Sequence, residues 1–363
     1  MSQPPSFLSK QNVRPGKSEI GETLMIKLNP AASITEEFAE KVKNENRNDK
    51  LMKLAPIFVL IFLVIVFTAT CGISFIGKTN LLNILNQMAL PLVVALGLTF
   101  VIMLGSIDLS IDGTVGMAGS LFACLVLNSE FVNNNFGIMG AVIAIGVSML
   151  CGLAIGLCHV YLKIPSFMAS FAFMYICKGI GMVSYQGHPP TILDPTIAAL
   201  PTTYFLGIPF ITWIAILMFL LCYFIQERTA FGRHIYAVGT NESIPRSVGV
   251  SVEKVKIGVF TLAGFLFGVA GVIGAIRLGQ GQIAIGNGKM FPAQAAVVVG
   301  GTALAGGKGG VTNTIVGVLI MTVLDNGLLM LGVNPNIRTG IQGVIILVSV
   351  ILTVARGAKV ISK

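Results

Sequence analysis

About ten apolar stretches follow one another between Leu54 and Val354, and they constrain the fold more than any other feature of the chain. A helix needs about 20 apolar residues to cross the roughly 30 Å hydrocarbon core of a bilayer. The stretches predict membrane spans at residues 54–76, 81–104, 113–128, 136–162, 166–185, 209–225, 255–276, 291–304, 311–332 and 338–355. A membrane barrel is excluded, because its strands would alternate in polarity, whereas these stretches are nearly continuously apolar. We therefore expect an all-α polytopic membrane protein with about ten transmembrane helices.

Basic residues are divided unevenly between the two sides of the predicted spans. Charged residues make up only 11% of the chain, against a soluble average of roughly 25%. If the N-terminus lies inside, 19 of the 24 lysines and arginines are cytoplasmic. This asymmetry follows the positive-inside rule. It predicts an even number of spans, both termini in the cytoplasm, and a location in the cell membrane.

The chain divides into a tail, a membrane domain and a short end. Residues 1–53 carry nine basic and seven acidic side chains and hardly any apolar run. They predict a flexible cytoplasmic tail, with a regulatory docking arm as the alternative. Residues 54–356 form the predicted membrane domain, which includes a long polar cytoplasmic loop at 227–256. Residues 357–363 form a cytoplasmic end.

Two predicted spans, residues 113–128 and 291–304, are too short to cross a bilayer as straight helices. Each adjoins a glycine-rich, locally polar stretch. They occupy equivalent places if the chain consists of two halves of five spans, which gives the halves opposite topologies. Short or interrupted segments at matching positions of inverted halves indicate a transport pathway, because unwound backbone at membrane depth needs protein or a cavity around it. We expect two inverted halves with some helices short or broken.

The polar positions in and beside these segments are the candidates for lining such a pathway. They are Gly105, Asp108, Ser110, Gly300, Gly301, Thr302 and Asp325. Simple helix packing by the glycines is the alternative, and Asp108 can lie in water at a cytoplasmic helix end. Asp325 lies in the middle of a span, where a carboxylate costs several kcal/mol without a partner. It faces the pathway or binds a neighbouring helix.

The sequence offers no set of residues for chemistry of its own. Residues 301–308 do not fit a phosphate-binding loop, because Thr302 stands where a glycine is required and Gly309 where a hydroxyl is required. No soluble stretch is long enough for a nucleotide-binding domain. The three histidines and six cysteines are scattered, so we expect no metal, no cofactor and no catalytic residue. Energy must come from another subunit or from an ion gradient.

Three strings in this order resemble the ribose-type sugar permeases of ABC importers. Residues 105–110 (GSIDLS) are similar to their GGIDLS element, with Ser106 in place of a glycine. Residues 228–242 (RTAFGRHIYAVGTNE) are similar to their loop sequence RTxxGRxIYAxGxNE. Residues 295–309 (AAVVVGGTALAGGKG) are similar to their AAVVLGGTSLAGGKG. The resemblance covers about residues 54–356 and leaves out the N-terminal tail.

This resemblance implies a permease that has no nucleotide site of its own and acts with other proteins. The expected partners are cytoplasmic ABC ATPase subunits, a second permease subunit in a homodimer or heterodimer, and an extracytoplasmic solute-binding protein. No nucleic acid is expected. The solute would be a sugar or a sugar-like molecule, which crosses by alternating access while the ATPase subunits supply the energy.

The long loop would contain the coupling helix that contacts the ATPase. The residues expected to couple are Gly239, Asn241, Glu242, Ser243, Arg246 and Gly249. Thr240, Asn241 or Ser243 can cap a helix start, and Gly249 can end it. The family usually has small alanines directly after the glutamate, whereas this chain has Ser243-Ile244-Pro245. Because proline fits only in a first turn, the helix is expected to begin late and to be one or two turns long.

Three alternatives remain open from the residues. An ion-coupled secondary carrier would use Asp325 or Asp108 as its ion or proton site. An ABC permease for branched-chain amino acids or nucleosides is the nearest relative of the sugar permease. A membrane enzyme is the least favoured, because no convergent nucleophile, base or metal ligands are found.

Overall fold

The computed structural model describes residues 54–131 and 135–357, with only the backbone described at 346 and 348–357. The predicted tail at 1–53 and residues 358–363 lie outside the described residues. The helices are α1 (Leu54–Cys71), α2 (Lys78–Met103), α3 (Ile111–Leu125), α4 (Ile138–Tyr161), α5 (Ser166–Tyr185), α6 (Pro195–Ala199), α7 (Phe210–Arg228), α8 (Ala230–Thr240), α9 (Ser243–Ser247), α10 (Val252–Leu278), α11 (Met290–Val299), α12 (Val311–Met330) and α13 (Pro335–Gly357). Strands β1 (Tyr204–Phe205) and β2 (Ile208–Pro209) pair in antiparallel register.

Each of the ten predicted spans coincides with a helix, and two of these helices end five residues earlier than predicted. Helix α1 ends at Cys71 because Gly72 follows with a φ of 79°, and residues Ile73–Ile76 form a 3₁₀ turn. Helix α11 ends at Val299 because Gly300 and Gly301 follow, and Gly301 has a φ of 102°. Glycine adopts such a φ without the steric cost that other residues bear.

Seven helices are long and apolar enough to cross a membrane, namely α1, α2, α4, α5, α7, α10 and α12. The chain is therefore a multi-pass membrane protein. Helices α3 and α11 have 15 and 10 residues, which correspond to lengths of about 22 and 15 Å. Neither helix can cross a core of about 30 Å alone.

Helices α2 and α10 form the centre of the described fold. From Met88 to Met103, α2 is buried at nearly every position, and the second half of α10 is equally enclosed. Helix α4 packs on α10 through facing glycines. A Cβ atom on Gly264 would lie 2.9 Å from the Cα atom of Gly152, so the two backbones touch, as predicted for small residues between membrane helices.

The two short helices follow the two central helices in the same way. An extended segment at 104–110 leads from α2 to α3, and a segment at 279–289 leads from α10 to α11. The second segment runs back along α3, with Gly281 beside Ala123 and Gly286 beside the start of that helix. This repetition is the arrangement expected of two inverted halves.

The first turns of α3 and α11 meet at Asp112. Its carboxylate accepts hydrogen bonds from the backbone N–H groups of Gly288 at 3.0 Å, Lys289 at 3.1 Å and Met290 at 2.9 Å. In the predicted topology α3 leads outward and α11 leads inward, so this topology predicts that the two short helices meet end to end near the middle of the membrane. A carboxylate at this point compensates the positive ends of both helix dipoles.

Candidate functional site

The three strings that carry the resemblance meet at the predicted inner side of the protein. The backbone N–H of Gly307 donates to the carbonyl oxygen of Met103 at 2.8 Å. A Cβ atom on Gly239 would overlap that same carbonyl, and a Cβ on Gly306 would lie 2.7 Å from the Gly239 oxygen and 2.8 Å from the Gly105 nitrogen. We call Met103, Gly105, Gly239, Gly306 and Gly307 the glycine junction.

Glycine is required at this junction by space and by conformation. Gly105, Gly306 and Gly307 have φ values of 76°, 84° and 71°, in the left-handed region that other residues rarely adopt. Gly239 lies in a helix, and a glycine is required there because α8 closely approaches the end of α2. Backbone contacts thus join three segments that are far apart in the sequence. Such close-packed contacts pass a displacement of one segment directly to the others.

The loop between α11 and α12 is fixed on its cytoplasmic side by α7 and α8. The Tyr236 hydroxyl donates to the Gly309 carbonyl oxygen at 2.7 Å. The backbone N–H of Val311 donates to Oε1 of Gln226 at 2.8 Å, which satisfies one of the free donors at the start of α12. Burial, together with the nearby Glu227 carboxylate, raises the pKa of Tyr236, so the phenol stays a donor.

Two of the predicted residues in this loop are packed against their neighbours. Gly300 faces the backbone of Asn313, where a Cβ would collide with the carbonyl group. Thr302 is completely buried beside Gly309, and its hydroxyl has no hydrogen-bond partner among the described residues. Gly301, with its positive φ, makes the turn between them. The segment is unwound but enclosed by protein, as the sequence predicts.

Asp108 lies deep in the protein and not in water. Its side chain is 1% exposed, and its Oδ1 accepts the backbone N–H of Ser110 at 2.8 Å. The extended segment around it is supported by α5, because Ser170 Oγ accepts the backbone N–H of Leu109 at 2.9 Å and Ser166 Oγ accepts that of Ile107 at 3.2 Å. The interpretation that Asp108 lies at a solvated helix end is therefore wrong for this subunit.

The long predicted loop contains two helices, and the second has the expected position of the coupling helix. Asn241 Oδ1 accepts the backbone N–H of Ser243 at 3.0 Å. Helix α9 has five residues, and Pro245 lies buried in its first turn. Gly249 follows with a φ of 82°, and the backbone N–H of Val250 donates to Pro245 at 3.0 Å. The short helix and the glycine that follows it agree with the sequence prediction. The N-cap is Glu242, whose side chain makes no capping hydrogen bond, so capping by Thr240, Asn241 or Ser243 is not found.

Two ion pairs hold α9 against the start of α10. Glu242 pairs with Lys256 at 2.6 Å, and Arg246 pairs with Glu253 at 2.8 Å. Ile244 and Val248 lie on the other side, with exposed fractions of 62% and 74%. Apolar side chains exposed on a polar cytoplasmic segment are typical of a surface that contacts another protein. The helix thus presents an apolar contact while its charged residues fix its orientation.

Asp325 lines a second region, a cavity of about 440 Å³, which lies in the outer half of the protein in the predicted topology. The polar residues of its lining are Gln87, Arg277, Lys289, Thr322, Asp325 and Gln342. Asp325 Oδ1 accepts from Nη1 of Arg338 at 3.2 Å and from Nε2 of Gln342 at 3.3 Å. Asp325 therefore both faces a cavity and binds the neighbouring helix α13, whereas Asn326 accepts a hydrogen bond from Asn80.

The structure brings together most of the predicted site residues but not all. Gly105, Gly239 and the 300–302 segment belong to the inner region, whereas Asp325 belongs to the outer cavity. Helix α8, with Tyr236, was missed. Its buried Gly232, Ile235 and Val238 recur at helical spacing, and this periodicity is the signal that predicts such a helix. The cavity residues Arg277 and Lys289 are predicted from the sequence only to lie on the outer side of the membrane or at its edge.

In the part of the chain that the structure describes, no group of three His, Cys, Asp or Glu side chains is placed to hold a metal ion. The site is therefore described by its backbone junction, its cytoplasmic helix and its outer cavity.

Comparisons with known proteins agree with one another. Residues 80–350 match the family described as branched-chain amino acid transport system permease component. The chain is 33% identical to the ribose import permease protein RbsC of Bacillus subtilis (strain 168) over 320 residues, which cover 88% of this chain and 98% of that protein. It is 34% identical to the ribose import permease protein RbsC of Escherichia coli (strain K12), over 83% of this chain and 94% of that one.

A relative named for another sugar is similar over the same region. The galactose/methyl galactoside import permease protein MglC of Haemophilus influenzae is 30% identical over 331 residues, which cover 87% of this chain and 98% of that protein. No solved structure matches the chain.

Proposed function

The chain belongs to the family of branched-chain amino acid transport system permease components, and we propose that it is the membrane permease subunit of an ABC importer for a sugar or sugar-like solute. A separate ATPase would supply the energy, and the solute would enter the cytoplasm unchanged. The observation that carries the proposal is the glycine junction, because it joins the cytoplasmic helices α8 and α9 to the unwound segments in the membrane.

The choice of a sugar rests on the relatives. Proteins named for ribose and for galactose import are similar over nearly their whole length. The family description names branched-chain amino acids, so a permease for such amino acids remains the second candidate. An ion-coupled carrier is not favoured, because the relatives over this length are import permeases and Asp325 is bound by Arg338 and Gln342.

We assign coupling to α9 and the residues beside it. The ATPase would contact the exposed Ile244 and Val248, while Glu242 and Arg246 hold the helix on α10. Gly239, two residues before Asn241, would pass the displacement to α2 and to the 300–310 loop. Ser243 and Gly249 define the two ends of the moving element.

The pathway itself would run along the unwound segments. Gly105, Asp108 and Ser110 lie on one of them, and Gly300, Gly301 and Thr302 lie on the other. The first segment leads into α3 and the second follows α11, and these two helices meet at Asp112. Motion of the inner loop would therefore reach the middle of the membrane through α11. A second copy of the chain, or a different permease, would complete the pathway.

The remaining parts of the proposal concern position and partners. With both termini in the cytoplasm, α8 and α9 lie inside and the cavity around Asp325 opens outward. The ATPase pair then binds the inner side, and the solute-binding protein binds the outer side. Residues 1–53 serve as a cytoplasmic tail.

The test is reconstitution of the permease with and without its ATPase subunits. We expect uptake by vesicles that contain the whole complex and ATP, and no concentrative uptake by the permease alone. An imposed proton or sodium gradient should not replace ATP. Accumulation by the lone permease under such a gradient would show a secondary carrier and overturn the proposal.

A further inference from the structure

The outer cavity contains two basic side chains that have no ion-pair or hydrogen-bond partner among the described residues. Arg277 ends α10 and Lys289 precedes α11, and both line the cavity. Among the described residues, neither side chain has a hydrogen-bonded or ion-paired acceptor. A charged group within a membrane protein is costly unless it is paired or faces a polar pathway. Arg277 is exposed and Lys289 is half-buried, so both charges are open to water or to an anion.

The carboxylates nearby are already occupied. Asp325 accepts hydrogen bonds from Arg338 and Gln342. Asp112 accepts three backbone N–H groups at the start of α11. Counting Arg277, Lys289 and Arg338 against these two acids leaves one positive charge in excess.

Lys289 lies far below the outer surface. From Ala123 to Asp112, which are neighbours of Gly281 and Gly286, α3 descends by about 16 Å. Lys289 follows Gly286 by three residues, so its backbone lies near the middle of the membrane. Asp325 lies about 21 Å above the inner end of α12, which places it in the outer half. The cavity therefore reaches from the outer half to about mid-depth.

We propose that this cavity binds an oxyanion, a carboxylate or a phosphate group, between Arg277 and Lys289. An arginine and a lysine facing one cavity form charge-assisted hydrogen bonds with such groups. Gln87, Thr322 and Gln342 supply neutral polar groups for hydroxyls beside the anion. The volume of about 440 Å³ lies in the range of pockets for small molecules, about 300–1,000 Å³.

A neutral sugar fits the cavity less well. Its hydroxyls can hydrogen-bond to the two cations, but they do not compensate the charge in a site partly withdrawn from water. The proposal deepens the proposed function, because the solute would be a sugar acid or a sugar phosphate. It rests on that function, whereas its test measures binding without the ATPase.

The test uses the purified full-length chain in detergent. Thermal unfolding is followed against inorganic phosphate, glucuronate, ribose phosphate and neutral ribose at constant ionic strength. We expect a saturable rise in Tm with the anions and none with ribose. Binding by phosphate alone would identify a free-anion site, and binding only by the sugar anions would identify the solute itself. Both results support the oxyanion site.

Variants separate this site from general salt effects. Lys289→Gln and Arg277→Gln should each weaken anion binding about tenfold or more, since each removes a charge-assisted hydrogen bond. Lys289→Arg keeps the charge and should retain binding. Lys78→Gln, an exposed lysine at the predicted outer end of α2, is the matched control and should bind as the unchanged chain does.

Three outcomes would overturn the proposal. They are no saturable effect of any anion, equal binding of neutral ribose and the anions, or equal losses in Lys78→Gln and Lys289→Gln. Each can occur while the assembled complex still imports a solute with ATP. Failure here is therefore distinguishable from failure of the proposed function.

Discussion

The inner and the outer regions of the protein differ in whether backbone or side-chain atoms make their contacts. At the glycine junction the contacts are between backbone atoms, and the residues there carry no charge. At the outer cavity the contacts are made by polar side chains from α2, α10, α12 and α13 and by Lys289, which precedes α11. Backbone contacts hold one geometry, whereas long side chains can change partners. From this difference we propose that the inner region transmits movement and that the outer region accommodates an occupant.

This difference predicts unequal responses to substitution. At the junction an added methyl group has no room, so the response should be steric and large. At the cavity a neutralised charge leaves the backbone in place, so the response should be graded. The predictions below test this contrast from the largest expected effect to the smallest.

Gly239→Val should have the largest effect. Its side chain would overlap the Met103 carbonyl and reach the Gly307 nitrogen, and overpacking costs about 1–3 kcal/mol or more. We expect a marked fall in Tm of the purified chain. The matched control is Gly146→Ala in α4, where an added Cβ meets nothing within 4 Å. This control substitution should leave the Tm unchanged or raise it slightly. Equal losses of Tm in the two variants would show that the glycine junction is no more sensitive to an added side chain than Gly146 is.

Ile244→Asp should abolish coupling without unfolding the permease. The side chain is 62% exposed on α9, so a carboxylate is tolerated in the free subunit but is costly at an apolar interface. Stimulation of ATP hydrolysis by loaded binding protein should fall at least about tenfold, which corresponds to roughly 1.4 kcal/mol. Ile244→Leu should keep the stimulation. Normal stimulation in the Ile244→Asp variant would show that α9 is not part of the interface with the ATPase.

Asp325→Asn should have an intermediate effect at the outer cavity. It removes the charge partner of Arg338, whose side chain is 15% exposed, while that of Asp325 is 41% exposed. Because solvent screens a half-exposed carboxylate, we expect a loss of about 1–2 kcal/mol. A double-mutant cycle with Arg338→Gln measures the coupling directly. A coupling of zero would mean that the pair does not fasten α13 to α12.

Tyr236→Phe should have the smallest effect. It removes one hydrogen bond to the Gly309 carbonyl oxygen, which is worth about 1 kcal/mol. The loss should appear in Tm and should make the 300–310 loop exchange its amide hydrogens faster. Tyr223→Phe, on α7 without a hydrogen bond of its hydroxyl among the described residues, is the control. Equal changes in both variants would assign the effect to general polarity.

Much of the fold could be predicted because membrane crossing imposes a length. Ten apolar stretches gave ten helices, and the two stretches that are too short became α3 and α11. Glycine clusters marked the unwound segments, because few other residues allow positive φ values or such close approach. Gly249 could be assigned to the C-terminal end of α9 for the same local reason.

Other features depend on depth and on distant neighbours, which local patterns do not reveal. Asp108 looked compatible with water, yet its segment turns back into the protein and is held by serines of α5. Side chains from five helices line the cavity around Asp325, so no single stretch of the sequence predicts it. Tyr236 finds its partner 73 residues away.

The meeting of α3 and α11 has a consequence for how the protein is made. Each short helix covers only part of the bilayer, and the two together, with 15 and 10 residues, are about 37 Å long. During synthesis α3 leaves the ribosome well before its counterpart, since the bonds of Asp112 join residues up to 178 positions apart. The Asp112 carboxylate is therefore synthesised before its final amide donors. The native hydrogen bonds of Asp112 form only after the second half of the chain has been made.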